Sequence, residues 1–214
     1  MGRGNKNTAV AALIKEQILS AASRLFIEKG FSASRIDDIS AMSGYSRRTI
    51  YAYFESKEDI LDNIAVKGLS ALLGDIRSAA ASDRDITGRW LDICGAMLRY
   101  KAKYPTSDRA VEASSPDKLT EKELSPARKE ILRLGSEIND LLAGFIRDGI
   151  SSGEVRPGII PEMSVYVLWA GVSSLADMTR TKGGFIARQF GISREDFLEY
   201  GFRQLLSSVL VKAV

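Results

Sequence analysis

Histidine is absent from this sequence of 214 residues, and cysteine occurs once, as Cys94. A single cysteine cannot form a disulfide or a thiolate-rich zinc site within one chain. The lack of histidine removes the side chain most often used as a general base near neutral pH and as a transition-metal ligand. No Gly-rich phosphate loop and no G-x-S-x-G elbow are present. We therefore expect no catalytic residue, no metal and no cofactor, and predict that the chain is not an enzyme.

Long apolar runs are also missing. No run approaches the roughly 20 residues that span a bilayer, and the first residues lack the apolar stretch of a secretory signal. We therefore expect a cytoplasmic location and no membrane partner. The hydrophobic share of 45% and the charged share of 27% are typical of an ordinary folded protein.

Positive charge is concentrated at the beginning of the chain. Residues 1–57 contain nine basic and five acidic residues, a net charge of +4, although the whole chain carries only +3. The remainder is therefore slightly acidic. A modest whole-chain charge does not by itself indicate nucleic acid, but its distribution favours an anionic partner for the first quarter.

Apolar spacing predicts four helices in the first third of the chain. Residues 13–29 carry apolar side chains at three- and four-residue steps, which is typical of an amphipathic helix. Ser34 with Asp37 predicts the cap of a second short helix, and Ser46 the cap of a third that continues through Phe54. Ser56 with Asp59 predicts the cap of a longer fourth helix.

The remaining chain also predicts helices, so the expected fold class is all-α. Residues 106–124 are polar and turn-rich, which favours short helical pieces. We expect a three-helix DNA-binding domain at residues 1–60 and a larger helical ligand-binding and dimerisation domain at residues 61–214. The other predicted elements are a helix ending near Pro105, one from Pro126 to Gly149, helices at 161–180 and 193–211, and a loop at 181–191.

The second and third predicted helices have the proportions of a helix-turn-helix, because a glycine-bearing turn joins them. The second helix of such a motif enters the major groove, where an arginine can bind a guanine edge with two hydrogen bonds. Arg47, Arg48 and Thr49 occupy the first turn of this helix. Tyr51 and Tyr53 can reach phosphates through their hydroxyl groups.

From residue 18 to residue 61 the sequence resembles the tetracycline-repressor (TetR) family of bacterial regulators. The segments AASRLFIEKGF and IDDISAMSGYSRRTIYAYFESKEDIL carry the resemblance. It implies DNA contacts by Thr49, Tyr51, Tyr53 and Lys57, with operator choice set by neighbouring arginines. The complete predicted DNA-binding set is Ser34, Arg35, Arg47, Arg48, Thr49, Tyr51, Tyr53 and Lys57.

The resemblance also implies a ligand pocket in the C-terminal domain and a homodimer formed by the last two long helices. Broad apolar faces in residues 161–180 and 193–211, interrupted by small residues such as Gly171 and Gly201, favour close helix pairing. A small, largely apolar effector is expected, because pockets are mostly apolar with few polar groups. The predicted lining residues are Trp90, Met97, Leu142, Phe145, Tyr166, Trp169 and Ser173.

The resulting prediction is a dimeric repressor that binds a pseudo-palindromic operator and is released by its ligand. Ligand release is implied by the resemblance alone. Other interpretations stay open at this point. The chain could be a regulator that bends or organises DNA, or one that needs its ligand to bind DNA. It could also be a helical enzyme with an accessory helix-turn-helix, or an adaptor whose basic N-terminus contacts an acidic protein.

Overall fold

Helices account for the regular structure of the chain. The computed structural model describes residues 3–112 and 124–211, and within these ranges each regular element is an α-helix. The all-α prediction is therefore confirmed. The helices are α1 (Arg3–Lys29), α2 (Ile36–Ser43), α3 (Arg47–Tyr51), α4 (Lys57–Ala80), α5 (Ile86–Lys103), α6 (Pro105–Glu112), α7 (Pro126–Ser151), α8 (Pro161–Phe190) and α9 (Arg194–Ser207).

These helices form two compact units. The first comprises the described residues of Met1–Ser70 and Lys103–Arg133, and the second those of Ala71–Ala102 and Leu134–Val214. The division falls within α4 and α7, so each of these helices supplies residues to both units. A functional boundary after residue 60 stays a prediction.

The first unit holds α2 and α3 on a continuous apolar core. Helix α1 packs against α2, and α2 packs against α3. The four N-terminal helices contribute apolar side chains to this core, which excludes water from the inner faces of the two short helices. The buried core residues are Ile18, Ala22, Leu25, Phe26, Ile39, Ile50, Phe54, Ile60 and Ile64.

Two predicted helix starts in this unit are confirmed, and a third is shifted by one residue. The Ser46 hydroxyl accepts the Thr49 N–H at 3.1 Å, and the Ser56 hydroxyl accepts the Asp59 N–H at 3.0 Å. The α2 cap lies one residue later than predicted, at Arg35 instead of Ser34. Asp38 closes it by accepting the Arg35 N–H at 2.8 Å.

Several predicted helix ends were wrong. Helix α1 begins at Arg3 instead of residue 13, and α3 ends at Tyr51, with Phe54 following in a turn. The predicted loop at 181–191 is instead the end of α8, since Gly191, with a φ of 65°, provides the C-cap. Glycines cost about 1 kcal/mol each in a helix, but this segment buries Gly183 and Ile186, and that packing outweighs the propensity.

Part of the polar segment at 106–124 is helical, as predicted. Helix α6 covers its beginning, and the Ser107 hydroxyl donates to the Ala65 carbonyl at 3.1 Å, which ties α6 to α4 inside the first unit. Residues 113–123, for which short helical pieces were also expected, lie outside the described residues.

In the second unit, small residues allow α8 and α9 to cross closely. A Cβ atom at Gly171 would lie 2.6 Å from a methyl group of Leu205, and one at Gly201 would lie 2.8 Å from a methyl group of Leu175. These glycines were expected to allow close approach between two subunits. They serve the packing of α8 against α9 within one chain.

Candidate nucleic-acid interface and effector cavity

The geometry of the α2–turn–α3 segment presents the first turn of α3 to solvent. Gly44 ends α2 in a left-handed conformation with a φ of 75°, and its N–H donates to the Ser40 carbonyl at 3.0 Å. The chain then re-enters a helix at the Ser46 cap. Because Ile50 is fully buried, the opposite side of α3 carries the exposed residues Arg47 and Arg48.

The two arginines of α3 have different surroundings. Arg47 forms an ion pair through Nε with Asp37 of α2, and both side chains are more than half exposed. Arg48 is exposed and has no ion-pair partner among the described residues. Exposed ion pairs contribute only about 0–1 kcal/mol to stability, so a phosphate can displace Asp37 from Arg47. Arg48 can bind a phosphate without first breaking an ion pair.

The hydroxyl-bearing residues of this segment differ in accessibility. Tyr51 is 54% exposed at the end of α3, which leaves its ring at the surface. Tyr53 is half-buried and packs against the apolar core of the first unit. Thr49 is half-buried, and its hydroxyl lies 2.9 Å from the Ser46 hydroxyl, so Thr49 supports the cap of the helix.

Lys57 is held by the loop that precedes α2. Its ammonium group donates to the Phe31 carbonyl at 2.8 Å and to the Ser34 carbonyl at 2.9 Å. It also lies 4.2 Å from the centroid of the Phe31 ring. Two of its three donors therefore stabilise the fold and are not free for a phosphate.

The two residues expected to contact the DNA backbone from the start of α2 also differ. Ser34 is 2% exposed, and its hydroxyl donates to the Gly30 carbonyl at 2.7 Å. Such a hydroxyl faces the protein interior instead of a phosphate, so its expected side-chain contact does not fit the structure. Arg35 is exposed and fits such a contact.

An apolar cavity lies in the second unit, between α5, α7 and α8. Its free volume is about 20 Å³, enough for roughly one water molecule. The Trp90 indole N–H is directed out of it, since it donates to the Phe202 carbonyl at 2.8 Å. The lining residues are Trp90, Ile93, Cys94, Met97, Leu142, Phe145, Ile146, Val165, Leu168, Trp169 and Val172.

Five of the seven predicted lining residues surround this cavity: Trp90, Met97, Leu142, Phe145 and Trp169. The other two predicted residues do not line it. Tyr166 is 66% exposed and its hydroxyl accepts the side-chain N–H of Asn139 at 3.3 Å, while Ser173 is half-buried outside the lining. The prediction for Tyr166 was wrong because Val165 and Leu168 occupy the inward-facing side of α8, which leaves Tyr166 at the surface.

The sequence pattern contained a signal for the lining residues that were missed. Cys94 lies one helical turn after Trp90, and Ile146 follows Phe145 on α7. Val165, Leu168 and Val172 lie in the segment 161–180 that is expected to pair two subunits, but all three are buried within the chain. Burial also raises the pKa of the Cys94 thiol well above its usual range, so it stays protonated and acts as an apolar wall group.

Another face of α8 leaves large apolar side chains exposed. Met163, Val167, Met178 and Phe185 recur at three- or four-residue multiples along the helix. Tyr200 of α9 is exposed as well. These side chains form an exposed apolar face along a helix of 30 residues. An apolar face of this extent is typical of a surface that contacts another protein, whereas single exposed apolar residues are not.

Comparison with known proteins agrees with the geometry of the first unit. Residues 18–64 match the profile of the family described as bacterial regulatory proteins, tetR family. This range contains the whole α2–turn–α3 segment. Residues 18–64 are therefore similar to the DNA-binding region of tetR-family regulators. The expectation of a helix-turn-helix transcriptional regulator of this kind is confirmed.

Curated relatives extend the likeness beyond the first unit. The HTH-type transcriptional repressor KstR2 of Rhodococcus jostii is 26% identical over 72% of this chain and 74% of its own length. The HTH-type transcriptional regulator RutR of Escherichia coli K12 is 27% identical over 81% of this chain and 78% of its own length.

Solved structures share the fold of both units. The transcriptional regulator FadR of Bacillus subtilis, in complex with stearoyl-CoA, superposes with a TM-score of 0.70 at 18% identity, covering 91% of this chain and 98% of that one. The regulator PfmR of Thermus thermophilus gives a TM-score of 0.66 at 21% identity, covering 88% and 96%.

Membrane-spanning helices and metal clusters are both missing from the described residues. None of their helices is long and apolar enough to cross a membrane. They also contain no group of three or more histidine, cysteine, aspartate or glutamate side chains arranged to hold a metal ion.

Proposed function

We propose that this tetR-family regulator is a dimeric repressor that binds a pseudo-palindromic operator through α3 and is released when a small ligand enters the cavity of the second unit. The observation that carries the proposal is the solvent-facing first turn of α3, where Arg47 and Arg48 project from a capped helix supported by a buried core. In a helix-turn-helix, that turn meets the base edges.

Individual residues receive distinct roles in this proposal. Arg47 and Arg48 bind base edges or phosphates, while Thr49, Tyr51 and Arg35 contact the DNA backbone. Tyr53 contributes its hydroxyl group from a half-buried ring. Lys57 holds the loop before α2 and has one remaining donor for a phosphate.

The dimer is proposed to form through the exposed apolar face of α8 together with α9. A two-fold symmetric contact would cover Val167, Phe185 and Tyr200 of both subunits at once. It would also place two copies of α3 for two operator half-sites. Residues 61–214 would then bind both the partner and the ligand, and residues 1–60 the DNA.

Ligand control is supported by the small size of the cavity. Typical ligand pockets measure about 300–1,000 Å³, whereas this one has a free volume of about 20 Å³. A ligand can therefore bind only a conformation in which α5, α7 and α8 are rearranged. Binding would favour that conformation over the ligand-free one. We propose that α4, which has residues in both units, transmits the change to the DNA-binding segment.

A regulatory role without catalysis, in the cytoplasm, completes the proposal. The named relatives are regulators or repressors, and an operator-binding protein must share a compartment with its DNA.

Selection of binding sites from random DNA duplexes tests this proposal. Wild type and the Arg47→Ala, Arg48→Ala double variant are compared at one stated salt concentration, because phosphate contacts make affinity depend on salt. We expect wild type alone to enrich an inverted repeat. Failure of wild type to enrich any sequence would contradict operator binding by the ligand-free protein.

The alternatives give different results in the same experiment. A regulator that needs its ligand would enrich the repeat only after a cell extract is added. An adaptor would enrich no DNA under either condition and would retain its protein partner in the double variant.

A further inference from the structure

Arg89 of α5 is a positive charge next to the apolar cavity. It precedes Trp90, which lines the cavity, and its guanidinium carbon lies 5.3 Å from the centroid of the Phe145 ring. Phe145 is itself part of the cavity wall. The guanidinium group therefore lies against a ring that forms part of the cavity wall.

Arg89 has a buried nitrogen without a hydrogen-bond partner. Apart from the contact with the Phe145 ring, its guanidinium group lacks a charged partner among the described residues, since its Nε has no hydrogen-bond acceptor and no described carboxylate lies within ion-pair distance. Other arginines of this region differ, since Arg84 pairs with Asp92 at 2.6 Å and Arg99 with Asp75 at 3.6 Å. A buried donor without an acceptor costs free energy, so an anion that supplies the acceptor binds favourably.

We infer that the effector is an organic carboxylate with an apolar body, whose body enters the cavity while its carboxylate binds Arg89. This inference rests on the proposed ligand control and assigns a chemical class to the ligand. Arginine suits the head group because its planar donors match the two oxygens of a carboxylate. The body must be apolar because the lining consists of aliphatic and aromatic side chains with one protonated thiol.

A carboxylate fits this site better than a phosphate monoester. The cavity lining contains no lysine or arginine, and Arg89 is a cation that the structure places against a ring of that lining. One guanidinium group balances one negative charge. A phosphate monoester carries nearly two charges near neutral pH and would leave part of its charge uncompensated next to an apolar wall.

The test measures direct binding of paired compounds by calorimetry, without DNA. A panel of straight-chain and aryl-substituted carboxylic acids is compared with the corresponding methyl esters and alkyl phosphates, all below their micelle-forming concentrations. We expect wild type to bind at least one acid about 10- to 100-fold more tightly than its ester, as the loss of a charge-assisted hydrogen bond predicts.

Variants of Arg89 test whether this residue causes the preference for the acid over its ester. Arg89→Gln is expected to remove it while ester affinity stays unchanged, and Arg89→Lys to retain part of it. Arg99→Gln, which removes an exposed arginine from the same helix, is the matched control and is expected to behave as wild type. Equal acid and ester affinities in wild type, retention of the preference in Arg89→Gln, stronger binding of phosphates, or no binding by any compound would each overturn the inference.

Operator binding of each variant without ligand separates this inference from the proposed function. Intact operator binding together with any of the contradicting results would leave the repressor proposal standing and remove only the carboxylate. Loss of operator selection by wild type would contradict the proposed function itself.

Discussion

Asp37 and Asp38 are neighbours in the first turn of α2 but serve different partners. Asp37 pairs with Arg47 of α3 at the exposed surface. Asp38 accepts the Arg35 N–H at 2.8 Å and the Lys29 ammonium at 2.7 Å. One carboxylate therefore occupies a side chain proposed to bind DNA, and the other holds the start of the helix.

Replacing Asp37 is predicted to strengthen DNA binding. Asp37→Asn frees Arg47 and removes a negative charge near the phosphates, so affinity should rise several-fold at low salt. The slope of log affinity against log salt should steepen by about one, as for one additional phosphate contact. Fluorescence anisotropy over a salt series measures both. An unchanged slope would show that Arg47 gains no phosphate.

Replacing Asp38 is predicted to weaken folding in a manner that depends on pH. The hydrogen bond from Lys29 and then that from the Arg35 N–H hold the pKa of Asp38 below its ordinary value of 3.8. Its contribution to stability is therefore complete above that value and is lost as pH falls through the lower folded-state pKa. Asp38→Ala should lower the urea midpoint at neutral pH, with the difference from wild type shrinking in acid.

Asp37→Asn is the matched control for this experiment, since its exposed pair contributes little to stability. A loss for Asp38→Ala that persists unchanged below the folded-state pKa would contradict the charge-dependent cap.

At the scale of elements, the junction between α2 and α3 depends on one backbone conformation. Gly44 has a φ of 75°, in the left-handed region that L-residues with a Cβ disfavour. A Cβ atom added at this position would meet no other atom within 4 Å. The requirement for glycine is therefore one of backbone conformation and not of space.

Gly44→Ala is accordingly predicted to destabilise the first unit by about 1–2 kcal/mol. Gly74→Ala is the matched control: Gly74 lies in α4 with open space around it, so alanine there should stabilise by about 0.5–1 kcal/mol. Urea denaturation of both variants gives the two signs. Equal effects at the two positions would contradict the conformational argument.

Elements with strong local signals could be predicted from the sequence, and those decided by packing could not. Serine caps at 46 and 56 and the four N-terminal apolar patterns placed α1 to α4. The continuation of α8 through Gly183 and Gly184 could not be predicted, because it depends on the burial of Gly183 and Ile186, which the helical spacing does not show. The hydrogen bonds of Ser34 and Lys57 with the loop at 30–34 could not be predicted either, because local patterns do not contain such contacts.

At the scale of the whole molecule, the exposed apolar face of α8 is the feature that a single chain leaves unexplained. Val167 is 69% exposed and Phe185 62% exposed. The sequence indicated that the last two long helices are more apolar than one chain requires. It could not separate the positions buried within the chain from those at the surface, since both recur with helical spacing.

Val167→Arg is predicted to dissociate the proposed dimer. Two-fold symmetry would place two unpaired charges in the contact, and each tenfold loss of affinity corresponds to about 1.4 kcal/mol. We expect the dimer dissociation constant to rise about 100-fold or more in sedimentation velocity. Ile27→Arg, at an exposed apolar residue of α1, is the control and should remain dimeric. An unchanged dimer dissociation constant for Val167→Arg would show that the contact between subunits lies elsewhere.

The stoichiometry of the complex with DNA tests the central claim most directly. Native mass spectrometry would be applied to wild type with a duplex carrying the selected inverted repeat and with a duplex in which one half-site is scrambled. A dimeric operator-binding regulator predicts two chains on the intact repeat and at least about tenfold weaker binding to the scrambled duplex. A single chain per duplex, or equal affinity for both duplexes, would contradict it.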